Sequence, residues 1–375
     1  MPPLTRQERD ERFLSRAVDL AAEALGRTSP NPMVGAVIVK DDDTIGEGYH
    51  AAAGEPHAER MALASCREDP AGATMYVSLE PCAHEGRTPP CVEAILEAGI
   101  ARVVVASDDP TGKASGRAFG ILRDEGVRVE MGGNGSAQAA RILNQPFRKH
   151  ARVGRPLVIL KSAMTLDGKV ATSGGDSKWI SGEESRARGH RWRATVDAVA
   201  AGIGTALTDD PMLTAWMLDE QGGAARRVIF DSEARLPVSS QLVRTAAEAP
   251  VTLICGRAAS RPGILALEAA GVEVIMVAGE NEGARVRSAL DELGARDVQS
   301  VLLEGGPHLA GAFFDAGEVD EVRAFVAPIV AGGRSARPPV EGQGVEAVGE
   351  APRALSTDVE RIGEDVLITA RLKEW

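Results

Sequence analysis

The chain has 375 residues, 44% of them hydrophobic, which is long for one core and ample for two domains. Its formal net charge of −12 argues against nucleic-acid binding, which needs a basic face to displace counterions, but leaves room for a small phosphate held by a few arginines. Four cysteines make no disulfide framework, the charged opening MPPLTRQERDERF lacks the apolar stretch of a secretory signal, and no run approaches the roughly eighteen apolar residues of a membrane span, so a cytoplasmic protein is expected.

Taken in order, Arg12 to Leu25 carries apolar residues at 13, 14, 17, 18, 21, 24 and 25 and predicts an amphipathic helix that Gly26 stops. After the loop TSPNP, the run MVGAVIVK predicts a strand ending in an acidic turn at Asp41 to Asp43. Pro56 leads into the helix HAERMALASC, followed by the strand ATMYVSLEP and the helix CVEAILEAG, closed by Gly99. The strand ARVVVASD, the helix FGILRDEG and the strand VRVEMG complete a layered α/β series. The basic segment RKHARVGRP reads as a linker. A second series follows, with strands PLVILKSAMT, AVAAGIGT, RRVIFD, VTLICG, VEVIMV, VQSVLLEGG, EVRAFVAPIV and DVLITARL, and helices at Glu183–Ala194 and Arg285–Leu293. No internal repeat links the halves, so two unrelated α/β domains are expected, 1–148 and 149–375.

The first half holds a constellation with chemical content. Zinc accepts imidazole and thiolate, and a catalytic zinc keeps three protein ligands plus a water. His57, Cys82 and Cys91 give that count, and Glu59, two residues from the histidine, is placed to move the water's proton rather than to ligate. Cys66 and Cys255 sit in apolar runs and read as packing residues. A structural zinc would be closed by four ligands, and His84 is the only fourth at hand. The pattern HAE…PC matches the zinc nucleobase-deaminase signature, with a longer gap to the second cysteine.

Together TSPNPMVGAVIV, GEGYH, GEPHAE, LEPCAHEGRTPPC and LNQPF resemble, in order, the deaminase half of the bifunctional riboflavin-biosynthesis deaminase–reductase family, in which the long cysteine loop is usual. The resemblance implies a cytidine-deaminase-like three-layer α/β/α domain, zinc on His57, Cys82 and Cys91, Glu59 as proton shuttle, and substrate contacts from Asn31, His50, His84 and Arg87. One departure is Asp109-Pro110-Thr111-Gly112-Lys113, where relatives read like DPNP.

The second half has no GxGxxG after its first strand, so a Rossmann reading is poor. GIGT at 202–205 and EGGPHLAG at 304–311 are glycine turns after strand-like runs, able to offer backbone N–H groups to a phosphate. With KSAMTLDGK, SKWIS, DDPMLT and IFDS they resemble the reductase half of the same family, which implies a dihydrofolate-reductase-like α/β fold and NADPH. On that resemblance Ala163, Trp179, Thr205, Asp209, Ser232 and the turn Gly306, Pro307, His308, Leu309, Ala310, Gly311, Ala312 line the cofactor site. Ser177, Arg193, Leu213 and Glu304 meet the ribosyl phosphate substrate, with Arg193 able to grip a phosphate. Asp209 and Glu304 are the candidate proton donors. Trp216 stands where the family has a substrate-binding arginine, with Arg226 or Arg227 as compensating candidates, and Ile329 stands where relatives often have lysine.

The reading implied is an enzyme acting twice on phosphoribosyl pyrimidines: zinc-dependent deamination, then NADPH reduction of ribosyl to ribityl. The family also implies a homo-oligomer. The alternative, motivated by Trp216, is a deaminase whose reductase-like half is weak or inert. A tRNA-type deaminase fits poorly with the acidic charge and the large second half.

Overall fold

A computed structural model describes residues 4–83, 89–112, 114–215 and 224–375. The chain divides into two compact units, Met1–Val153 with Trp375, and Gly154–Glu374. The division falls at Val153/Gly154 rather than at 148/149. The expected linker is in fact helical up to Val153, with Arg148 and Lys149 both buried, and Gly154 (φ +70°) and Pro156 end it.

In the first unit the elements run α1 (Arg6–Ala22), β1 (Gly35–Lys40), β2 (Asp43–Tyr49), α2 (Ala58–Ala64), β3 (Thr74–Val77), α3 (Cys91–Glu97), β4 (Arg102–Val105), α4 (Arg117–Asp124), β5 (Arg128–Met131), α5 (Asn134–Leu143) and α6 (Gln145–Val153). The sheet order is β2-β1-β3-β4-β5, antiparallel across β2-β1-β3 and parallel from β3 to β5. Alternation along the strands builds two cores. Val37, Val39, Tyr76 and Val104 pack with Phe13 and Leu14 of α1, while Ile38, Met75, Val77 and Val103 pack with Ala62, Ile95 and Leu122 of α2, α3 and α4. This is the expected three-layer α/β/α arrangement. Beyond the acidic turn the chain forms β2, a strand not expected from its glycine-rich sequence; those glycines are required by close packing, since a Cβ on Gly48 would lie 2.5 Å from Ala62 N.

In the second unit the elements are β6 (Leu157–Thr165), α7 (Glu183–Arg193), β7 (Ala198–Gly202), α8 (Ile203–Asp209), β8 (Arg226–Phe230), α9 (Gln241–Arg244), β9 (Val251–Cys255), α10 (Arg261–Ala269), β10 (Glu273–Met276), α11 (Glu282–Gly294), β11 (Ser300–Leu303), α12 (Pro307–Asp315), β12 (Glu321–Ala327), β13 (Ser356–Ile362) and β14 (Asp365–Arg371). They form a nine-stranded sheet, β10-β9-β8-β7-β11-β6-β12-β14-β13, parallel from β10 to β12 and antiparallel beyond. The central parallel strands β7, β9 and β11 are largely apolar on both faces, as strands covered by helices on each side tend to be. Val158, Val228, Val301 and Leu303 pack under Leu290, Leu293 and Phe313 of α11 and α12; Val199, Ile229 and Leu253 pack under Leu242 and Leu267 of α9 and α10. All eight expected strands are present, and β13 is an addition at the sheet edge. Among the described residues no helix is long and apolar enough to cross a membrane.

Candidate active sites

Three side chains converge in the first unit. His57 is the N-cap of α2 with extended backbone, so its imidazole leaves the helix. Cys82 follows β3, and Cys91 opens α3, its N–H donating to Cys82 Sγ at 3.2 Å. The Cys91 thiol first, then the His57 imidazole and the Cys91 N–H, favour the Cys82 thiolate and hold its pKa well below the usual thiol range against the cost of burial. His57 Nδ1 lies 3.3 Å from Cys91 Sγ and 3.5 Å from Cys82 Sγ, and the three ligand atoms are all within 4.8 Å of one another. Tetrahedral zinc with bonds of about 2.0 Å to nitrogen and about 2.3 Å to sulfur separates N and S by about 3.5 Å, so donor set and spacing fit zinc.

Glu59, in the first turn of α2, is 3% exposed, and burial first, then the nearby Cys82 charge, pushes its carboxyl up to about 7. Asn31 Nδ2 lies 3.1 Å from His50 Nε2, His50 Nδ1 lies 3.2 Å from Pro56 O, and the His50 ring meets His57 edge-on at 5.5 Å. A carbonyl on one side and an amide donor on the other fix the neutral tautomer, and burial lowers the pKa of His50 in the same sense. Asn31 and His50 thus stand with the cluster. His84 and Arg87 lie outside the described residues. Sequence reading missed Glu80, 4% exposed, whose Oε2 accepts from Gly116 N at 3.1 Å and Asp109 N at 3.5 Å. It ties the segment that departs from the family pattern to the peptide run carrying Cys82; a glutamate just before Pro-Cys was the available signal.

The second unit holds a cavity of about 620 Å³ at the carboxyl ends of its parallel strands, the usual ligand position in open α/β sheets. Ala163, Ser177, Thr205, Asp209, Ser232, Glu304, Gly306, Pro307, His308, Leu309 and Ala312 line it. Gly306 caps α12 with extended backbone and without a side-chain bond, so the first-turn N–H groups are left for a ligand. A Cβ on Gly204 would meet nothing within 4 Å, leaving backbone approachable. Uncapped N–H groups beside open glycines suit the pyrophosphate of a dinucleotide.

Other predicted residues sit elsewhere. Ala310 and Gly311 are buried on the far side of α12, where a Cβ on Gly311 would lie 2.2 Å from Glu341 O. Trp179 is 70% exposed, outside the cavity lining, with the Arg186 guanidinium 4.6 Å over its ring. Leu213 is buried with the α9–α10 core in left-handed backbone (φ +54°). Cys255, read as packing, is buried yet reaches the cavity wall.

Arg193 does not present a free fork. Its Nε and Nη2 donate to Glu304 Oε1 and Oε2 at 2.6 and 2.9 Å, and its Nη1 donates to Thr214 O at 3.1 Å. Burial resists ionisation of Glu304, but the Arg193 bonds and the Lys161 charge outweigh it and hold the carboxyl at about 2. An ionised Glu304 donates no proton. Lys161, which sequence reading passed over, lines the cavity with Nζ 3.8 Å from Glu304 Oε2; a lysine inside the apolar run PLVILKSAMT was its signal. Trp216 lies outside the described residues, and neither candidate substitute faces the cavity. Arg227 is fully buried, donating to Thr245 Oγ1 and O and to the carbonyls of Met212 and Ala249. Arg226 is bonded to Glu273 and Thr252. Both are consumed by structure.

Comparisons with known proteins cover both halves. Residues 156–368 match the family described as RibD C-terminal domain, and residues 7–107 match the cytidine and deoxycytidylate deaminase zinc-binding region. The chain is 40% identical over 356 residues to riboflavin biosynthesis protein RibD of Actinobacillus pleuropneumoniae, spanning 95% of this chain and 93% of that protein. It is 39% identical to the Aquifex aeolicus RibD, spanning 96% and 98%. Among solved structures, Acinetobacter baumannii RibD superposes with a TM-score of 0.86 at 36% identity over 98% of this chain and all of that one. A Thermotoga maritima diaminohydroxyphosphoribosylaminopyrimidine deaminase/5-amino-6-(5-phosphoribosylamino)uracil reductase gives 0.84 at 36%, also over 98% of this chain and all of that one. An inert second half finds no support among these relatives.

Proposed function

The chain belongs to the RibD family of bifunctional riboflavin-biosynthesis deaminase–reductases, and from that premise we propose how its residues divide the two reactions. It deaminates 2,5-diamino-6-(5-phosphoribosylamino)pyrimidin-4-one by hydrolysis and then reduces the ribosyl group of the product to ribityl with NADPH. The deaminase belongs to the first unit and the reductase to the second.

In the first reaction the bond from a ring carbon to its exocyclic amino nitrogen breaks, a C–O bond forms at the same carbon and ammonia leaves. His57, Cys82 and Cys91 would hold zinc, whose chemistry when bound would be to lower the pKa of a water to about 7. The Glu59 carboxylate takes the proton of that water and returns it to the departing amino nitrogen; burial that brings its pKa to about 7 suits it to both tasks. Asn31 and His50 orient the pyrimidine from the same side, and His84 and Arg87 extend the substrate contacts.

In the second reaction bound NADPH would supply the hydride, which goes to the sugar carbon bearing nitrogen. The bond from that carbon to the ring oxygen breaks, and the oxygen gains a proton. The Lys161 ammonium, at the cavity wall beside ionised Glu304, delivers that proton. Arg193 acts through Glu304, keeping it ionised and fixed. Ala163, Thr205, Asp209, Ser232 and the first turn of α12 receive the dinucleotide, and Ser177 meets the sugar phosphate. A cytoplasmic homo-oligomer is proposed from family membership.

The observation that carries this reading is the three-ligand cluster with a buried carboxylate beside it. A coupled assay following ammonia and NADPH together tests it. Glu59→Gln is expected to keep bound metal, lower ammonia release about 10²–10⁴-fold, and leave NADPH oxidation on the deaminated intermediate intact. Undiminished ammonia release would remove Glu59 from the mechanism, and wild-type protein inert toward the intermediate would remove the second activity.

A further inference from the structure

Building on the NADPH reading, we propose that Arg235 and Arg285 bind the adenosine 2′-phosphate of the dinucleotide and so set the preference for NADPH over NADH.

The position follows from strand order. The cavity crosses strand ends in the sequence β6, β11, β7, β8, β9, β10. Lys161 on β6 and Glu304 just after β11 mark the end where reduction takes place. At about 4.8 Å per strand step, β8 lies about 14 Å and β10 about 24 Å from β6. A dinucleotide lying along the strand ends, with its pyrophosphate at the first turn of α12, therefore places adenosine against β8 to β10. Arg235 stands in the turn after β8, and Arg285 in the first turns of α11, which follows β10; both line that end of the cavity.

Their present partners hold them loosely. Arg235 Nε is 3.4 Å from Glu233 and 3.7 Å from Asp231, and Arg285 Nη2 is 3.9 Å from Glu282. Charge-assisted hydrogen bonds run at about 2.7–2.9 Å, so these are loose ion pairs, unlike the closed fork of Arg193 on Glu304. Glu282 is shared with His308, whose Nε2 lies 3.4 Å away. A phosphate dianion brought between the arginines exchanges weak contacts for bidentate ones, with Ser232 beside it. The substrate carries a phosphomonoester too. Its sugar carbon must meet the nicotinamide near β6, and a pentose 5-phosphate is too short to reach from there to β8–β10.

The test is calorimetric titration of the full chain with 2′,5′-ADP and with 5′-AMP, paired with NADP⁺ against NAD⁺. Arg235→Gln and Arg285→Gln are each expected to weaken 2′,5′-ADP about tenfold while 5′-AMP stays within about twofold. Glu282→Gln should move the other way, tightening 2′,5′-ADP by removing a competing carboxylate. Equal losses for both nucleotides, or none, would overturn the assignment. So would a rise in KM for the phosphoribosyl substrate with 2′,5′-ADP binding unchanged, which would give the arginines to the substrate's phosphate. Wild-type protein that binds NADP⁺ no better than NAD⁺ would bring down the cofactor reading itself, an outcome distinct from variants that bind 2′,5′-ADP like wild type.

Discussion

Glu304 and Arg193 illustrate how a residue's chemistry is decided by where its side chain points. From sequence, Arg193 reads as a phosphate grip; in the fold its guanidinium closes on a buried carboxylate. Sequence order carries no side-chain direction, so the residue type was legible and the partner was not. The sign of the linkage follows from the depressed pKa. A carboxyl whose pKa falls from 4.5 to about 2 on folding adds stability that is fully present above about 4.5 and is lost as pH falls toward 2. Glu304→Gln is therefore expected to flatten the acid-side loss of stability in that window. Near neutrality it should cost the second unit about 3 kcal/mol, because Arg193 is left buried opposite a neutral group. Urea unfolding at pH 3 and pH 7 reads both, and equal destabilisation at the two pH values would reject the pairing argument.

Among the elements, α12 couples packing to ligand binding. Its first turn meets the cavity while Gly311 lets its opposite side touch the backbone at Glu341. Gly311→Ala puts a methyl where backbone already stands, and fixed backbone cannot yield as a flexible side chain would. The expected cost is about 3 kcal/mol, with weaker NADP⁺ binding as the helix shifts, read by thermal melting with and without NADP⁺. A loss of stability with unchanged NADP⁺ affinity would separate the two roles. Elements with strong apolar runs, such as β1 and β6 to β9, were readable because burial on both faces writes itself into composition. The strand β2, DTIGEGY, was not, because its glycines serve a helix packed against it. The basic stretch of α6 reads as a linker because nothing in the sequence announces that Arg148 is buried, donating to Ser107 Oγ at 3.0 Å and Asp108 O at 2.8 Å.

At the scale of the whole molecule, the two units have separate cores and each is assigned its own non-protein group. Zinc bound at the His57, Cys82 and Cys91 cluster would tie the N-terminus of α2 to that of α3, so that its binding energy would stabilise the first unit. Chelation is expected to lower one calorimetric transition, and NADP⁺ to raise another, since each group stabilises only the fold that holds it. A single transition answering to both would refute that separation. The clustering of His57, Cys82 and Cys91 was legible because metal chemistry restricts residue type and spacing. The cavity lining was legible only in part, because it gathers short turns from six strands, and most of those turns have compositions that any αβ connection shares.

The edge strand β13 has a consequence beyond catalysis. Six of its seven residues are exposed, and as the last strand of the sheet it turns one row of backbone donors and acceptors to solvent. Such a row is a template on which another chain's strand can assemble. Here the template is armed with charge: Asp358, Glu360 and Arg361 lie along it, and Arg188 braces Glu360 at 2.9 Å. At the other edge, β10 is only four residues long, too short to seed much pairing. Replacing Asp358 and Glu360 with valine would extend an exposed β-branched stretch around Val359, and a filament-type aggregate growing from that edge is the failure this strand is built to prevent.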